Sequence, residues 1–343
     1  MSGPIYHTLK VAQVIDETAD AKSLVFAIPA VLADAFRYKP GQFLTLRLPI
    51  GDGFLPRCYS LASSPVADRE LKVTIKRVRD GRGSNWVCDN ITAGAQLQVM
   101  APAGVFTPKS LDGDFLLFGG GSGITPVLSI LRTVLASGTG NVCLVYANRD
   151  EGSIIFREAL KALATQHPSR LQVIHWLDSV QGIPSVAQLR ALARPWQHAN
   201  CFICGPGPFM DASVEALKGL DIHPAQIHVE RFVSLPEEGS EVMPILASSE
   251  SREVVLQVTL DGQTHEVRGS NQETVLDAML RAGIEAPYSC RAGACATCMC
   301  TVQKGAVSLQ VNDVLDAHEL EQGWTLACQA VPDSDHIVLR FPD

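Results

Sequence analysis

The chain has 343 residues, enough for two or three domains, and its 46% hydrophobic content is ordinary for domains that bury a core. The formal net charge of −8 argues against non-specific nucleic-acid binding, which needs a basic surface. Residues 1–10 lack the basic flank and apolar run of a signal peptide, and no stretch reaches the roughly 18 apolar residues of a membrane span. We therefore expect no nucleic-acid partner, no membrane partner and a cytoplasmic location.

Two predicted domains occupy the first two thirds of the chain. Residues 1–110 contain short apolar runs such as 42–48, separated by Pro and Gly, and this pattern predicts an antiparallel β-barrel. Residues 111–232 alternate apolar strands with helical stretches, for example strand 115–118 with helix 124–137. Such alternation predicts a parallel sheet with helices on its faces.

The first candidate site lies in the predicted barrel. Alternation along a strand puts Arg57 and Tyr59 on one face, and Ser60 follows them. An arginine can pair with a phosphate, a tyrosine ring can stack on a flavin, and a serine hydroxyl can hydrogen-bond it. This short motif also fits an ordinary strand with a surface arginine. Residues 81–85, GRGSN, strengthen the flavin interpretation, because a Gly-rich segment at a helix start favours a phosphate.

Two Gly-rich loops follow strands of the predicted parallel sheet. Residues 119–126 read GGGSGITP after the first strand, and residues 204–210 read CGPGPFM after the last one. Ligands of open α/β sheets bind outside the carboxyl ends of the strands, so the two loops predict a nicotinamide-nucleotide site. Cys204 would then lie near the nicotinamide, or it is only a small residue packed beneath the loop.

The choice between NADH and NADPH depends on the segment after the second strand. Arg149 could meet a 2′-phosphate, whereas Asp150 or Glu151 could bond a 2′-hydroxyl and repel a phosphate. These residues alone leave both nucleotides open.

The third predicted domain spans 252–343, after a non-periodic linker at 233–251 that carries Pro, Ser, Gly and acidic residues. It opens with a hairpin at 254–267 whose turn is Asp261-Gly262. A helix near 273–282 and later strands give it a mixed α and β character.

Four cysteines of this domain have the spacing of a plant-type 2Fe–2S site: Cys290-x4-Cys295-x2-Cys298, then twenty-nine residues, then Cys328. Three thiolates from one loop can surround a small cluster, and a distant fourth closes the cage. A structural zinc site is the alternative, but zinc sites usually pair two short Cys motifs and Cys328 has no such neighbour. Cys300 lies on a predicted strand and is expected in the core.

These motifs, in their order, resemble the ferredoxin–NADP reductase superfamily. A C-terminal plant-type ferredoxin domain narrows the resemblance to the reductase components of bacterial multicomponent oxygenases. Within that group the chain looks most like the reductases of 3-ketosteroid 9α-hydroxylase, in stretches such as 57–64 and 145–150, and next like those of phenylacetyl-CoA epoxidase. The resemblance covers essentially the whole chain. It implies a multidomain fold: an antiparallel β-barrel flavin domain, an α/β parallel-sheet nucleotide domain and an α+β ferredoxin domain of the β-grasp type.

The resemblance also implies roles for individual residues. The flavin motif corresponds to Arg57, Tyr59 and Ser60, and the FAD pyrophosphate positions to Gly83 and Ser84. The nucleotide loop corresponds to Gly121, Gly123, Thr125 and Pro126, and the nicotinamide end to Cys204, Gly205 and Pro206. At the end of the second domain, Phe232 would cover the flavin's other face and Glu230 would lie near the nicotinamide.

The expected activity is electron transfer from NADH, or NADPH, through FAD and the 2Fe–2S cluster to a terminal oxygenase. The partner implied by the resemblance is a Rieske-type oxygenase acting on a steroid. The same reductase could serve phenylacetyl-CoA epoxidase or another hydroxylase. A redox sensor or electron carrier without turnover is a third possibility, which the intact flavin and nucleotide motifs disfavour. The chain itself has no Cys-x-His pair of a Rieske centre.

Overall fold

A computed structural model describes residues 5–232 and 251–342, apart from 289, 294, 313 and 316. The predicted linker therefore lies outside the described residues, except for Ser251. Two compact units make up the described chain: residues 7–50 with 57–232, and residues 251–342 with the short segments 5–6 and 51–56. Among the described helices, none is both long enough and apolar enough to cross a membrane.

The first domain is an antiparallel sheet with the strand order β4-β3-β6-β1-β2-β5. The sheet closes because Leu61, just after β4, bridges Val73 of β5, and the Ala62 amide donates to the Lys72 carbonyl. The predicted barrel is thus confirmed. Its elements are β1 (His7–Thr18), β2 (Ala21–Ala27), β3 (Phe43–Ile50), β4 (Gly53–Ser60), β5 (Leu71–Lys76), α1 (Arg82–Asn90) and β6 (Gln96–Val99).

The second domain is a five-stranded parallel sheet with the order β11-β10-β7-β8-β9. Helices α2 and α3 pack on one face and α5 and α6 on the other, as the strand–helix alternation predicts. Its elements are β7 (Phe115–Gly120), α2 (Ile124–Ser137), β8 (Val142–Asn148), α3 (Arg157–Gln166), β9 (Leu171–Leu177), α4 (Asp178–Gln181), α5 (Val186–Ala193), β10 (Asn200–Cys204), α6 (Gly207–Lys218) and β11 (Ile227–Glu230).

The third domain is a mixed sheet, β13-β12-β18-β14-β16, on which helix α7 packs, with β15 and β17 paired separately. The predicted hairpin is confirmed: Asp261 and Gly262 turn with φ of 48° and 74°. Its elements are β12 (Glu253–Leu260), β13 (Gln263–Ser270), α7 (Val275–Arg281), β14 (Met299–Lys304), β15 (Val307–Leu309), α8 (Ala317–Glu321), β16 (Trp324–Leu326), β17 (Ala330–Pro332) and β18 (His336–Arg340).

Candidate flavin, nucleotide and cluster sites

The two Gly-rich loops of the second domain meet at one edge of the parallel sheet. After β7 the chain moves outward to β8 and then β9, whereas β10 lies on the other side of β7. Strand order therefore reverses between β7 and β10, and Gly119 lies directly opposite Cys204. Such a switch point leaves a crevice outside the carboxyl ends of the strands, where nucleotides bind.

Glycines let the two loops touch through their backbones. A Cβ on Gly123 would lie 2.2 Å from the Cys204 carbonyl oxygen, and one on Gly120 would lie 2.7 Å from Pro206 Cδ. A Cβ on Gly205 would lie 2.9 Å from Gly120 Cα. Real Cβ atoms do not approach other heavy atoms this closely, so any side chain at these positions would force the loops apart.

The nucleotide loop is held by hydrogen bonds from the residues around it. Gly121 has a left-handed backbone with φ of 51°, and the buried Tyr146 donates its hydroxyl to the Gly121 carbonyl at 3.1 Å. Thr125 donates to the Ser122 carbonyl at 3.1 Å, and Pro126 is buried in the first turn of α2. No described side chain caps the N-terminus of α2, and the Ile124 amide bonds to the Gly121 and Ser122 carbonyls of the loop. The positive end of the helix dipole therefore lies at this loop, where it would favour a pyrophosphate.

The predicted flavin residues of the barrel lie where β4 ends beside the start of α1. A Cβ on Gly83 would lie 3.0 Å from Arg57 Cγ and 3.3 Å from Leu48 Cδ1, so the bare backbone of α1 packs against Arg57. Ser84 is buried and its hydroxyl accepts from the Val78 amide at 3.1 Å. This places a guanidinium beside the side-chain-free Gly83 in the first turn of α1, a fit for the phosphates of FAD.

Burial shifts the pKa values of the two flavin-motif side chains Arg57 and Tyr59 on β4. It lowers the pKa of Arg57, while the nearby Tyr59 raises it. Arginine nevertheless keeps its charge in proteins. Burial also raises the pKa of Tyr59, so its phenol stays neutral and its ring can serve as a flat stacking surface.

Ser60, Cys204 and Glu230 converge at the switch point from three different strands. Ser60, at the end of β4, donates to Glu230 Oε2 at 3.3 Å. Glu230 ends β11 and lies opposite Cys204 in the register with β10. Burial raises the pKa of Glu230 to about 8, against the lowering effect of the Ser60 hydrogen bond. Burial also raises the pKa of the Cys204 thiol, and the Glu230 charge adds to this. Burial therefore favours the neutral form of both groups.

A pH-dependent stability follows from the Glu230 carboxyl. Its pKa of about 8 in the folded protein exceeds the ordinary value of 4.5, so folding favours the neutral form. The stability of the wild type should be full below about pH 4.5 and fall as pH rises through about 8. Glu230→Gln removes this loss. Between pH 5 and 8.5 we expect the variant's free energy of unfolding to rise by about 2 kcal/mol relative to wild type. This is less than the full pKa shift implies, because Glu230 is only half-buried and solvent weakens the cost of its charge.

Thermal unfolding of the two holoproteins across this pH range measures the difference. The exposed Glu158, in α3 of the same unit, supplies the control variant Glu158→Gln. Wild-type and Glu230→Gln midpoints that run parallel from pH 5 to 8.5 would show that Glu230 is ionised throughout.

Phe232 is the last residue of the described range 5–232, and its side chain is 50% exposed. Its ring thus offers aromatic surface two residues beyond Glu230. The predicted stacking of this ring on the flavin stays a prediction.

The segment after β8 pairs the predicted cation with carboxylates. Arg149 Nε donates to Asp150 Oδ2 at 3.1 Å, and the guanidinium also reaches Asp20 Oδ2 at 4.0 Å. Asp150 in turn caps the turn Glu151–Ser153 by accepting from the Ser153 amide at 2.9 Å. Arg149 is thus exposed but partly neutralised, a pairing that the sequence did not reveal.

The four predicted cluster cysteines come together in the third domain. The Cys290 thiol contacts those of Cys295 and Cys328, and the Cys328 thiol also contacts that of Cys298. Backbone amides pair them as well: Cys290 donates to Cys295 Sγ and Cys328 donates to Cys298 Sγ, each at 3.5 Å.

Further donors surround the sulfurs. The Ala292 amide donates to Cys290 Sγ at 3.4 Å, and the buried Gln329 amide group donates to Cys328 Sγ at 3.7 Å. Among the described residues, no three or more His, Cys, Asp or Glu side chains are arranged as ligands of a single metal ion. A 2Fe–2S cluster divides four thiolates between two irons, and four thiols joined by such contacts fit this arrangement.

Cys300 lies in β14 with no exposure, as expected of a core residue. Ala294, a neighbour of the cysteines in the loop, lies outside the described residues. Gln329 could not be singled out from the sequence, because a glutamine after a cysteine has no distinguishing pattern.

Comparison with known families matches each domain in turn. Residues 8–107 match an oxidoreductase FAD-binding domain, residues 117–215 an oxidoreductase NAD-binding domain, and residues 258–333 a 2Fe-2S iron-sulfur cluster binding domain. The solved structure of phthalate dioxygenase reductase has the same fold, with a TM-score of 0.59, 23% identity and 98% of each chain covered. The predicted fold class and cofactors are thereby confirmed.

Several curated proteins match over nearly their full lengths. The ferredoxin reductase component of 3-ketosteroid-9-alpha-monooxygenase from Rhodococcus rhodochrous is 52% identical over 97% of this chain and 96% of its own. A component of 1,2-phenylacetyl-CoA epoxidase from Escherichia coli is 37% identical over 98% of both chains. The chain therefore belongs to the family of the 3-ketosteroid-9-alpha-monooxygenase ferredoxin reductase components, and it is an NAD(P)H-dependent flavin and iron–sulfur oxidoreductase.

Proposed function

We propose that this chain passes electrons from NADH to a Rieske-type oxygenase that hydroxylates a 3-ketosteroid. The observation that carries the electron-transfer part is the meeting of Ser60, Cys204 and Glu230 where the two nucleotide loops touch. Residues from the flavin barrel and from the nucleotide domain thus lie side by side, as direct hydride transfer from nicotinamide to flavin requires.

The bound FAD and 2Fe–2S cluster would supply the conversion of a two-electron donor into single electrons. The protein's own residues bind and orient these groups. Tyr59 and Phe232 offer ring surfaces for the flavin, and Ser60 a hydrogen bond to it, while the neutral Glu230 and Cys204 keep charge away from the nicotinamide. The remaining contacts we assign to FAD phosphates (Arg57, Gly83, Ser84), to the nucleotide (Gly121, Gly123, Thr125, Pro126, Arg149, Gly205, Pro206) and to the cluster (Cys290, Cys295, Cys298, Cys328).

NADH is the proposed donor because Arg149 is already paired with two carboxylates, as described above. The cytoplasm is the proposed location. All ten cysteines lie in the described part of the chain and none forms a disulfide, which fits a reducing compartment.

The steroid assignment rests on the relatives. Three 3-ketosteroid-9-alpha-monooxygenase components, from Rhodococcus, Mycolicibacterium and Mycobacterium species, are 47–52% identical to this chain, whereas the epoxidase component is 37% identical. The higher identity to the steroid components, over matches of similar length, favours a steroid oxygenase as the partner.

Reconstitution with purified oxygenases tests this partner. The reductase is combined with NADH and either a 3-ketosteroid 9α-oxygenase or the oxygenase of phenylacetyl-CoA epoxidase, each with its own substrate. We expect 9α-hydroxylated steroid at a rate at least tenfold above any epoxide formation, and a Rieske signal by EPR in the reduced partner. Equal or greater epoxide formation would overturn the steroid proposal.

A further inference from the structure

Asp20 occupies the tight turn between β1 and β2 of the flavin barrel, and its carboxylate is held in one orientation. The Thr18 hydroxyl donates to Asp20 Oδ1 at 2.8 Å, and the Asp20 amide donates to the same hydroxyl oxygen at 3.3 Å. The Arg77 amide donates to the Asp20 carbonyl at 2.7 Å. The second carboxylate oxygen is thus directed by its surroundings rather than left to rotate.

That second oxygen lies between two cations. Lys76 Nζ, at the end of β5, is 3.8 Å from Asp20 Oδ2, and the Arg149 guanidinium is 4.0 Å from the same atom. Lys76 Nζ also lies 3.8 Å from the point where a Gly121 Cβ would stand. Lys76, at one end of this series of ion pairs, therefore lies beside the nucleotide loop. Arg149, at the other end, lies just after β8.

The two nicotinamide nucleotides differ only in the 2′-phosphate of the adenosine ribose. Such a phosphate carries a charge of about −1.5 to −2 near neutral pH and is bound by Arg and Lys side chains. Here the Asp20 carboxylate faces Lys76 and Arg149, and Asp150 also pairs with Arg149. A 2′-phosphate would compete with Asp20 for these cations and be repelled by it, whereas the neutral 2′-hydroxyl of NADH meets neither cost.

We propose that Asp20, contributed by the flavin barrel, is a specificity-determining residue that disfavours nucleotides with a 2′-phosphate. This inference rests on the proposed use of NADH by the same site. It differs from the usual account of nucleotide choice, which considers only the segment after the second strand of the nucleotide domain. Its alternative is that Asp20 only links the two domains by an ion pair.

Asp20→Asn separates these possibilities because it removes the charge and keeps an acceptor for Thr18. The measured quantity is the ratio of kcat/KM for NADPH to kcat/KM for NADH, with ferricyanide as the acceptor at low ionic strength. We expect the ratio to rise about fivefold, and the rise to shrink at high salt, where charges separated by more than a few ångströms are screened. If Asp20 only supports the structure, Asp20→Asn would lower kcat/KM for both nucleotides and leave their ratio unchanged.

Binding supplies a second readout that does not depend on turnover. Calorimetry compares adenosine 2′,5′-bisphosphate with AMP, which differ by the 2′-phosphate alone. In Asp20→Asn the affinity for the bisphosphate should rise about fivefold relative to that for AMP. In an Arg149→Ala background the Asp20→Asn effect should become smaller, since one of the two cations is gone.

Asp16→Asn is the matched control. Asp16 lies in the same barrel, is 79% exposed and pairs with Lys22 at 3.6 Å rather than with Arg149. An unchanged ratio in Asp20→Asn, or an equal rise in Asp16→Asn, overturns the role of Asp20. A wild type that prefers NADPH would instead refute the proposed donor, and the change in ratio would still decide the role of Asp20.

Discussion

A Cys328→Ala protein will lose its 2Fe–2S cluster while its flavin is still reduced by NADH. Cys328 follows β16, and its thiol contacts those of Cys290 and Cys298, so its removal opens the cage on one side. Electron transfer to cytochrome c or to an oxygenase should fall about 100-fold or more, because a missing thiolate leaves one iron with only one of its two thiolate ligands. Ferricyanide reduction, which can draw directly on the flavin, should stay near the wild-type rate.

The measurement combines visible absorbance, iron content and EPR of the NADH-reduced protein. Cys300→Ala is the control, since Cys300 is a fully buried cysteine of the same domain that lies outside the predicted ligand set. Cys300→Ala should keep the EPR signal. A Cys328→Ala protein that retains a full cluster signal would remove Cys328 from the ligand set.

A Gly123→Ala protein will hold FAD and cluster but lose most of its reduction by NADH. The new Cβ would lie 2.2 Å from the Cys204 carbonyl oxygen, a backbone atom that cannot rotate away. The two nucleotide loops must then separate. A displacement of about 1 Å at a reacting centre can cost about 100-fold in rate, so we expect a loss of this size in flavin reduction.

Stopped-flow absorbance of the flavin measures the rate, and the visible spectrum reports whether both cofactors are retained. Gly152→Ala is the matched control in the same domain, because its Cβ would meet only the Asp150 side chain at 3.5 Å, an ordinary contact. A Gly123→Ala rate within about threefold of wild type would mean that the loop contact does not position the nicotinamide.

Local patterns explain which parts of these sites were predictable. The cysteine spacing and the Gly-rich loops are contiguous motifs, and their chemistry is fixed by short stretches of chain. The helix predicted at 124–137 has those bounds as α2. Helix α3 begins only at Arg157, because Phe156 before it adopts a left-handed backbone with φ of 62°, and no sequence motif marks this start.

Contacts between distant strands were not predictable from the sequence. Ser60 and Glu230 are 170 residues apart and meet only because β11 lies beside β10 at the switch point. Tyr146 belongs to no binding motif, and its hydrogen bond to Gly121 depends on the alignment of β8 with β7. Asp20 lies in a turn with no motif, so only the fold brings it to Arg149.

The most direct test of electron flow from nucleotide through flavin to cluster is an anaerobic titration of the purified protein with NADH, followed by absorbance and low-temperature EPR. We expect the flavin to bleach and a rhombic signal of a reduced 2Fe–2S cluster to grow with it. Flavin bleaching without that signal would contradict the proposed path, because the four cysteines would then not hold an electron-accepting cluster.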